Sequence, residues 1–229
     1  MSPVTAEAER AARAATYENA RPEVMALVPR EARRVLDLGC ASGALGAALH
    51  ARQGCEVVGV EVDPRYAARA RERLDAVVEG DLEAFVPEGT FDCVIAADVL
   101  EHLRDPLAVL ERAAAALQPG GAAVVSLPNV RYWNTFWQLG VRGRWPQQPD
   151  GIFDRTHLRW FTGLDAVYLV SEAGLEVAQV RRIHRLRPSR VSPWDARVGR
   201  LVERTPLRPF LTYQVLIRAR RPGALAPAG

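Results

Sequence analysis

The sequence predicts an α/β fold, a mostly parallel sheet with helices on both faces. Short apolar runs, several bounded by Gly, Asp or Pro, alternate with stretches of helical length. The first of these runs passes through a glycine-rich turn straight into a helix, the entry of a ligand-binding α/β unit. None of the runs approaches the roughly 20 apolar residues that would cross a bilayer, so they read as core strands.

In chain order, residues 5–28 are Ala-rich with helical spacing, and Pro22 predicts a break between two helical pieces. Strands are expected at Arg34–Leu38, Glu56–Val60, Ala76–Val78, Asp92–Ala96 and Ala122–Leu127. Helices are expected between them at Gly43–Arg52, Tyr66–Arg73 and Pro106–Leu117. Pro106 suits a first helical turn, and Gln118-Pro-Gly-Gly121 reads as the stop signal after it. Thr162–Ala173 reads as a helix, Leu175–His184 as a strand and Leu211–Arg220 as the last strand.

Two segments depart from this alternation. Residues 129–161 hold four of the five Trp among scattered Gly, Pro and Asn, and read as a substrate-binding insertion. Residues 185–210 form a basic insertion with four Pro. The 229 residues are expected to make one domain, with 1–30 as a helical cover.

Net charge is only +3, but Arg181 to Arg221 carries twelve Arg against Asp195 and Glu203, leaving the rest acidic. Every basic residue other than His is Arg, which excludes lysine chemistry. Cys40, Cys55 and Cys93 form no CxxC pair and cluster with no His, so buried thiols are expected and no metal site. The N-terminus lacks the pattern of a secretory signal, and the expected compartment is the cytoplasm.

The most informative segment is Asp37-Leu-Gly39-Cys-Ala-Ser-Gly43, between strand and helix. Its glycines allow a tight turn and close approach of a ligand to the backbone. About twenty residues on, Glu61 ends the second strand, where an acid can accept both hydroxyls of a ribose. Asp81 comes after the third. A dinucleotide fold shares these features, but its fingerprint is GxGxxG, and the Asp two residues before Gly39 suits an ammonium rather than a pyrophosphate.

VLDLGCASGALG, VVGVEVDP, EGDLEAF and FDCVIAADVLEHLRDP together resemble the class I S-adenosylmethionine (SAM) methyltransferases, over nearly the whole chain. The resemblance implies a Rossmann-like seven-stranded sheet whose last strand runs antiparallel beside 175–184. It implies SAM as cofactor. Asp37 and Gly39 would line its methionine end, with Cys40 and Ala41 in the same turn. Glu61 would hold the ribose beside Val62, Asp81 the adenine amino group, and Leu82 the ring through its backbone N–H. Asp98 would lie next to the cofactor. The family most often has Gly where Ala41 stands, and Ala fits there if φ is below zero.

Leu127-Pro-Asn129 and Asp154-Arg155-Thr156-His157-Leu-Arg159 resemble a bacterial branch of that family, found beside glycosyltransferases and associated with polar acceptors such as sugars. His157 is the first choice as general base, with Asp154 to orient it; the alternative is a structural tie. Asn129, Tyr132, Trp133, Arg155 and Arg159 are assigned to the acceptor, with Asn129 alternatively ending its strand. Trp133, Trp137, Trp145 and Trp160 either wall a pocket or close the core over the insertion. His102 stands where members of the family often carry a His near the active site; the alternative, preferred here, is a solvent-exposed helix-start residue, and His50 and His184 are read as structural or exposed. Tyr17 and Arg21 precede the first strand, where a helical cover would place them near the cofactor.

The expected activity is O-methylation of a sugar or related polar small molecule, including anionic ones. N- or C-methylation of a natural-product intermediate, and a SAM-binding partner protein without turnover, are the alternatives. The Arg-rich segment suits an anionic substrate or peripheral contact with a membrane; no nucleic-acid partner is expected, since Pro interrupts any recognition helix.

Overall fold

The structure is a computed structural model that describes residues 18–188, 192 and 194–223. Seven strands form one sheet: β1 (Arg34–Leu38), β2 (Glu56–Glu61), β3 (Ala76–Glu79), β4 (Phe91–Ala97), β5 (Leu117–Pro128), β6 (Glu176–His184) and β7 (Thr212–Arg220). Their order is β3-β2-β1-β4-β5-β7-β6. The first five are parallel, and β7 is antiparallel to both β5 and β6. This is the expected Rossmann-like sheet with its antiparallel last strand. Chain order reverses on either side of β1, where the loops leaving β1 and β4 diverge and open a crevice.

Adjacent residues in the central strands face opposite layers. Leu36, Val94, Val125 and Ile217 pack in one cluster with α4 (Pro106–Ala115) and α6 (Gly163–Glu172). Val35, Ile95, Val124 and Leu216 pack in the other, with α1 (Pro22–Met25), α2 (Ala44–Gln53) and α3 (Pro64–Arg71). Strands buried on both faces are continuous apolar runs, which is why they were legible. Helix starts obey their side chains: Asp63 and Asp105 accept from backbone N–H groups at the first turns of α3 and α4. Thr162 and Asp165 close a reciprocal capping box on α6.

One expectation needs correction. Gln118-Pro-Gly-Gly121 does not separate α4 from the next strand; it lies inside β5, which starts at Leu117. Gly121 brings β5 close to its neighbour, since a Cβ there would lie 3.2 Å from the Asp92 carbonyl oxygen. The Pro-rich segment 185–210 folds into two helices, α7 (Asp195–Val202) and α8 (Arg208–Leu211), with Pro209 near the start of α8. Residues 5–17 of the expected N-terminal helix lie outside the described residues; α1 is the turn after them. Between β5 and α6 lie α5 (Trp133–Phe136), a π-helical turn (Trp137–Val141) and irregular chain.

The seam between α2 and the sheet is closed by small residues. A Cβ on Gly46 would sit 2.5 Å from Leu74 Cδ2 and 2.9 Å from Val57 Cγ1. Gly46→Ala is therefore expected to cost about 1–3 kcal/mol through overpacking, despite the roughly 1 kcal/mol helix preference of Ala. Urea denaturation reads this directly. An unchanged midpoint would mean that Leu74 moves aside at no cost.

Candidate functional site

The motif residues gather at the carboxyl ends of β1, β2, β3 and β4. After β1 the chain turns through Gly39 (φ 71°), Ala41 (φ 48°) and Gly43 (φ 77°) before entering α2. The condition expected for Ala41, a negative φ, does not hold. The N–H groups of Gly39 and Cys40 both donate to the Val60 carbonyl, at 2.9 and 3.0 Å. Glu61 binds this turn to the next: its Oε2 accepts from Ala41 N–H and its Oε1 from Asp63 N–H, each at 2.9 Å. A Cβ on Gly39 would lie 2.6 Å from Val99 Cγ2, so that glycine is required by space as well as by φ.

Asp37 is buried at the end of β1, and its Oδ2 has no hydrogen-bond partner. Burial, with Glu61 adding to it and Arg21 opposing, pushes its carboxyl from 3.8 up to about 7. Cys40 is buried beneath the turn and its thiol is driven up by burial and the two acids. Val62, beside Glu61, leaves an apolar side chain 67% exposed. Asp81 is exposed, its Oδ1 accepting from Glu83 N–H at 2.9 Å, and Leu82 next to it is buried.

Asp98 lies just after β4 and is held from three directions. Arg21 Nη1 lies 2.6 Å from its Oδ2. The Gln214 amide donates to both carboxylate oxygens, at 2.6 and 2.8 Å, and the Ser126 hydroxyl to Oδ1 at 2.9 Å. Arg21 also reaches Glu23 Oε1 at 2.7 Å and Ser126 Oγ at 3.3 Å. Arg21, Ala41 and Asp98 are the non-glycine residues with positive φ among those described, and all three are here. Backbone strain concentrates at this crevice.

Beyond β4 a second cluster forms. Glu101 and His157 are buried, with Glu101 Oε1 and His157 Nε2 3.9 Å apart. Burial, then Asp98, raises the Glu101 carboxyl well above its usual range, while burial, then His102, lowers the His157 imidazole. Both shifts favour uncharged forms. The backbone N–H groups of Leu158 and Arg159 donate to the Glu101 carbonyl, tying the insertion to the turn after β4.

The expected orientation of His157 by Asp154 is corrected. Asp154 Oδ1 accepts from the Thr156 hydroxyl at 2.7 Å and from Thr156 N–H at 2.8 Å. Thr156 Oγ1 in turn lies 3.0 Å from His102 Nδ1. The hydroxyl commits its proton to Asp154, so the network assigns the His102 proton to Nδ1 and leaves Nε2 a lone pair. His102 is thus no solvent-exposed end residue; its ring stands edge-on to His157, centroids 4.8 Å apart. The ligand atoms of Glu101, His102 and His157 lie within 4.8 Å of one another. Atoms held about 2.0–2.2 Å from one ion are at most about 4.4 Å apart, so this trio would have to close to bind a metal.

Other assignments are also revised. Asn129 is a strand end: its Nδ2 donates to the Pro209 and Thr212 carbonyls at 2.8 and 2.7 Å, and its Oδ1 accepts from Arg131 N–H. The Arg159 guanidinium donates to the Arg104 carbonyl, through Nε at 3.2 Å and Nη2 at 2.5 Å, on exposed surface. Arg155 is exposed, Tyr132 is buried and Trp133 is half-buried. Trp145 packs edge-on against Trp160 and Phe153, closing the insertion, while Trp137 is exposed. His50 Nδ1 lies 3.0 Å from the Cys55 carbonyl, and His184 Nε2 3.4 Å from Glu203, so both have structural contacts. Tyr17 lies outside the described residues. Sequence reasoning missed Gln214, Ser126 and Glu101. A polar residue inside each apolar run, as in Val124-Val-Ser126-Leu127 and Gln214-Val-Leu-Ile217, was the available signal.

A family model described as a methyltransferase domain matches residues 9–180. The chain is 37% identical over 115 residues to a ubiquinone biosynthesis O-methyltransferase of Xanthomonas campestris, covering 46% of this chain and 47% of that protein. To the protein of that name from Cereibacter sphaeroides it is 34% identical over 166 residues, 67% of this chain and 64% of the relative. The chain thus spans between about half and two thirds of these relatives. A SAM-dependent methyltransferase structure from Mesorhizobium loti superposes with a TM-score of 0.62 at 19% identity, over 89% of this chain and 98% of that one.

The strain at Ala41 is testable. A left-handed alanine costs about 1–2 kcal/mol, offset by the roughly 0.4–1 kcal/mol that glycine gives to the unfolded chain. Ala41→Gly should raise the thermal midpoint by the equivalent of up to about 1 kcal/mol; a lower midpoint would show that the turn is relaxed as it stands.

Proposed function

The chain belongs to the methyltransferase-domain family, and on that premise we propose that it transfers a methyl group from SAM to a hydroxyl oxygen of a polar small molecule. The observation that carries the cofactor is Asp37: a buried carboxylate with an unpartnered oxygen fits the ammonium of the methionine end. Gly39 lets the turn pack against Val99, Glu61 at the end of β2 would accept from the ribose hydroxyls, and exposed Val62 offers an apolar surface to the adenine beside Asp81 and Leu82. When bound, SAM supplies an electrophilic methyl group on a sulfur that leaves uncharged.

The chain's own task is to align the acceptor, keep water out and remove its proton. His102 is the better base. Its Nδ1 is fixed by the Asp154–Thr156 relay, leaving Nε2 as an acceptor, whereas His157 Nδ1 is enclosed without a partner. His157 and Glu101, each shifted by burial toward its uncharged form, pack beside His102, His157 edge-on to its ring, and are positioning residues. Support for oxygen as the methylated atom is the O-methyltransferase activity by which the relatives in Xanthomonas and Cereibacter are named. A sugar acceptor rests on the resemblance of Leu127–Asn129 and Asp154–Arg159 alone.

With a hydroxyl acceptor, His102→Ala should lower kcat about 10²–10⁴-fold while S-adenosylhomocysteine affinity stays within error. Thr156→Val should show a smaller loss. The reverse ranking, with His157→Ala lethal and His102→Ala mild, would return the base role to His157.

A pH dependence is also expected from Asp37. Its folded carboxyl sits at about 7 against an ordinary 3.8, so its ionisation costs the ligand-free fold stability as pH rises from about 4 to 7. An ammonium ligand favours the ionised form. S-adenosylhomocysteine affinity should therefore climb with pH up to 7, by as much as about tenfold per unit, and flatten above it. Calorimetric titrations at pH 5.5–8 should show this slope in the wild type and lose it in Asp37→Asn. A slope that survives the substitution would remove Asp37 from the cofactor.

A further inference from the structure

At the rim of the insertion, next to the Asp98 clamp, a guanidinium stands without an ion-pair partner among the described residues. Arg185 comes directly after β6 and is anchored by its backbone N–H to the Leu211 carbonyl at 3.0 Å. Its Cζ lies 3.8 Å over the ring of Tyr213, the residue before Gln214. Its Nε is buried with no hydrogen-bond partner, and no carboxylate among the described residues forms an ion pair with it. Asp195, the acid whose backbone contacts lie closest in sequence, is already committed: its two oxygens accept from Leu186 N–H at 3.0 Å and Ser192 N–H at 2.7 Å.

Tyr132, which packs on the same Tyr213 ring, is equally short of a partner. Tyr132, 1% exposed, packs edge-on against Tyr213 with ring centroids 5.4 Å apart, and its hydroxyl has no partner. One turn on, the buried Thr135 hydroxyl is also unpaired. An unpaired buried hydroxyl costs about 1–3 kcal/mol, and the buried Nε of the half-buried Arg185 adds an unpaired donor beside it. Stacking on Tyr213 offsets only part of this, about 0.5–2 kcal/mol.

Tyr213 connects this group to the chemistry. Its carbonyl accepts from Asn129 N–H at the end of β5, and its hydroxyl faces Gly151, where a Cβ would come within 2.7 Å. The chain from Gly151 runs on through Asp154 and Thr156 to the His102 relay.

We infer that Arg185, stacked on Tyr213 and flanked by the Tyr132 hydroxyl, is the subsite that receives an oxyanion group, carboxylate or phosphate, of the methyl acceptor. This rests on the methyltransferase reading above and narrows its acceptors to acids. Planar guanidinium and planar carboxylate match in a two-point contact, and a phosphate oxygen pair fits equally. Arg187, exposed two residues on, would add only a diffuse attraction.

The test is calorimetric titration of the protein saturated with S-adenosylhomocysteine, using 3,4-dihydroxybenzoate, catechol and inorganic phosphate as probes. The benzoate should bind at least about tenfold more tightly than catechol, a two-point charged contact being worth that much. Arg185→Gln should erase the difference, Arg185→Lys retain part of it, and neither should change S-adenosylhomocysteine affinity. Competition by phosphate would mark a phosphorylated acceptor; benzoate binding indifferent to phosphate would mark a carboxylate. Equal binding of benzoate and catechol, no binding of any probe, or a matching loss of S-adenosylhomocysteine affinity in Arg185→Gln would overturn the subsite. If the wild type failed to bind S-adenosylhomocysteine, the methyltransferase reading would fall instead. Phosphate titration of the free protein and of Arg185→Gln would then decide the subsite by itself.

Discussion

Asp98 carries one negative charge that three distant parts of the chain share. Arg21 comes from the segment before β1, Ser126 from β5 and Gln214 from β7, the last 116 residues away in sequence. A carboxylate at the mouth of a crevice would be free to rotate and to hydrate. Here its backbone is fixed in a left-handed conformation, its N–H donates to the Ser126 carbonyl and its oxygens are saturated by donors. The contacts outweigh the strain because charge-assisted hydrogen bonds are about twice as strong as neutral ones. Glu101 and His102, a few residues further along the chain, are therefore launched from a rigid point.

The two ends of the crevice handle charge in opposite ways. On the cofactor side, Asp37 is stripped of water and left one oxygen short of a partner, so it stores electrostatic demand until a cation arrives. On the acceptor side, Glu101 and His157 are pushed toward their uncharged forms by the same desolvation, and the Asp154–Thr156 pair fixes the tautomer of His102 from outside. A single physical cause, exclusion of water at the strand ends, thus raises the carboxyls of Asp37 and Glu101 and lowers the imidazole of His157.

Much of this was legible in sequence. Buried parallel strands announce themselves as apolar runs, and Asp105-Pro106 and Thr162-x-x-Asp165 announce helix starts, because local hydrogen bonding decides them. The turn from Asp37 to Gly43 was readable for the same reason: its chemistry lies within one short stretch of consecutive residues. The second half of the site was not. Asp154 was paired with its near neighbour His157, when its side-chain partner is Thr156, which in turn reaches His102, 54 residues earlier in the chain. Gln214 and Ser126 carry no motif, only their polarity inside apolar strands. Ala41 was read by the steric preference of its residue type, which tertiary contacts with Glu61 override.

The strand β5 divides the molecule into two inheritances. The residues assigned to the cofactor precede it, and the insertion with Tyr132 and Thr156, then Arg185 after β6 and Tyr213 in β7, come after it. A lineage could in principle exchange the later half and acquire a new acceptor without touching the earlier one. Gln214 sets the condition on such an exchange, for it belongs to the later half but completes the coordination of a charge in the earlier one. Recombinants that lack a donor at that position would inherit both halves intact and still lose their alignment, so compatibility between them is written in a single side-chain amide.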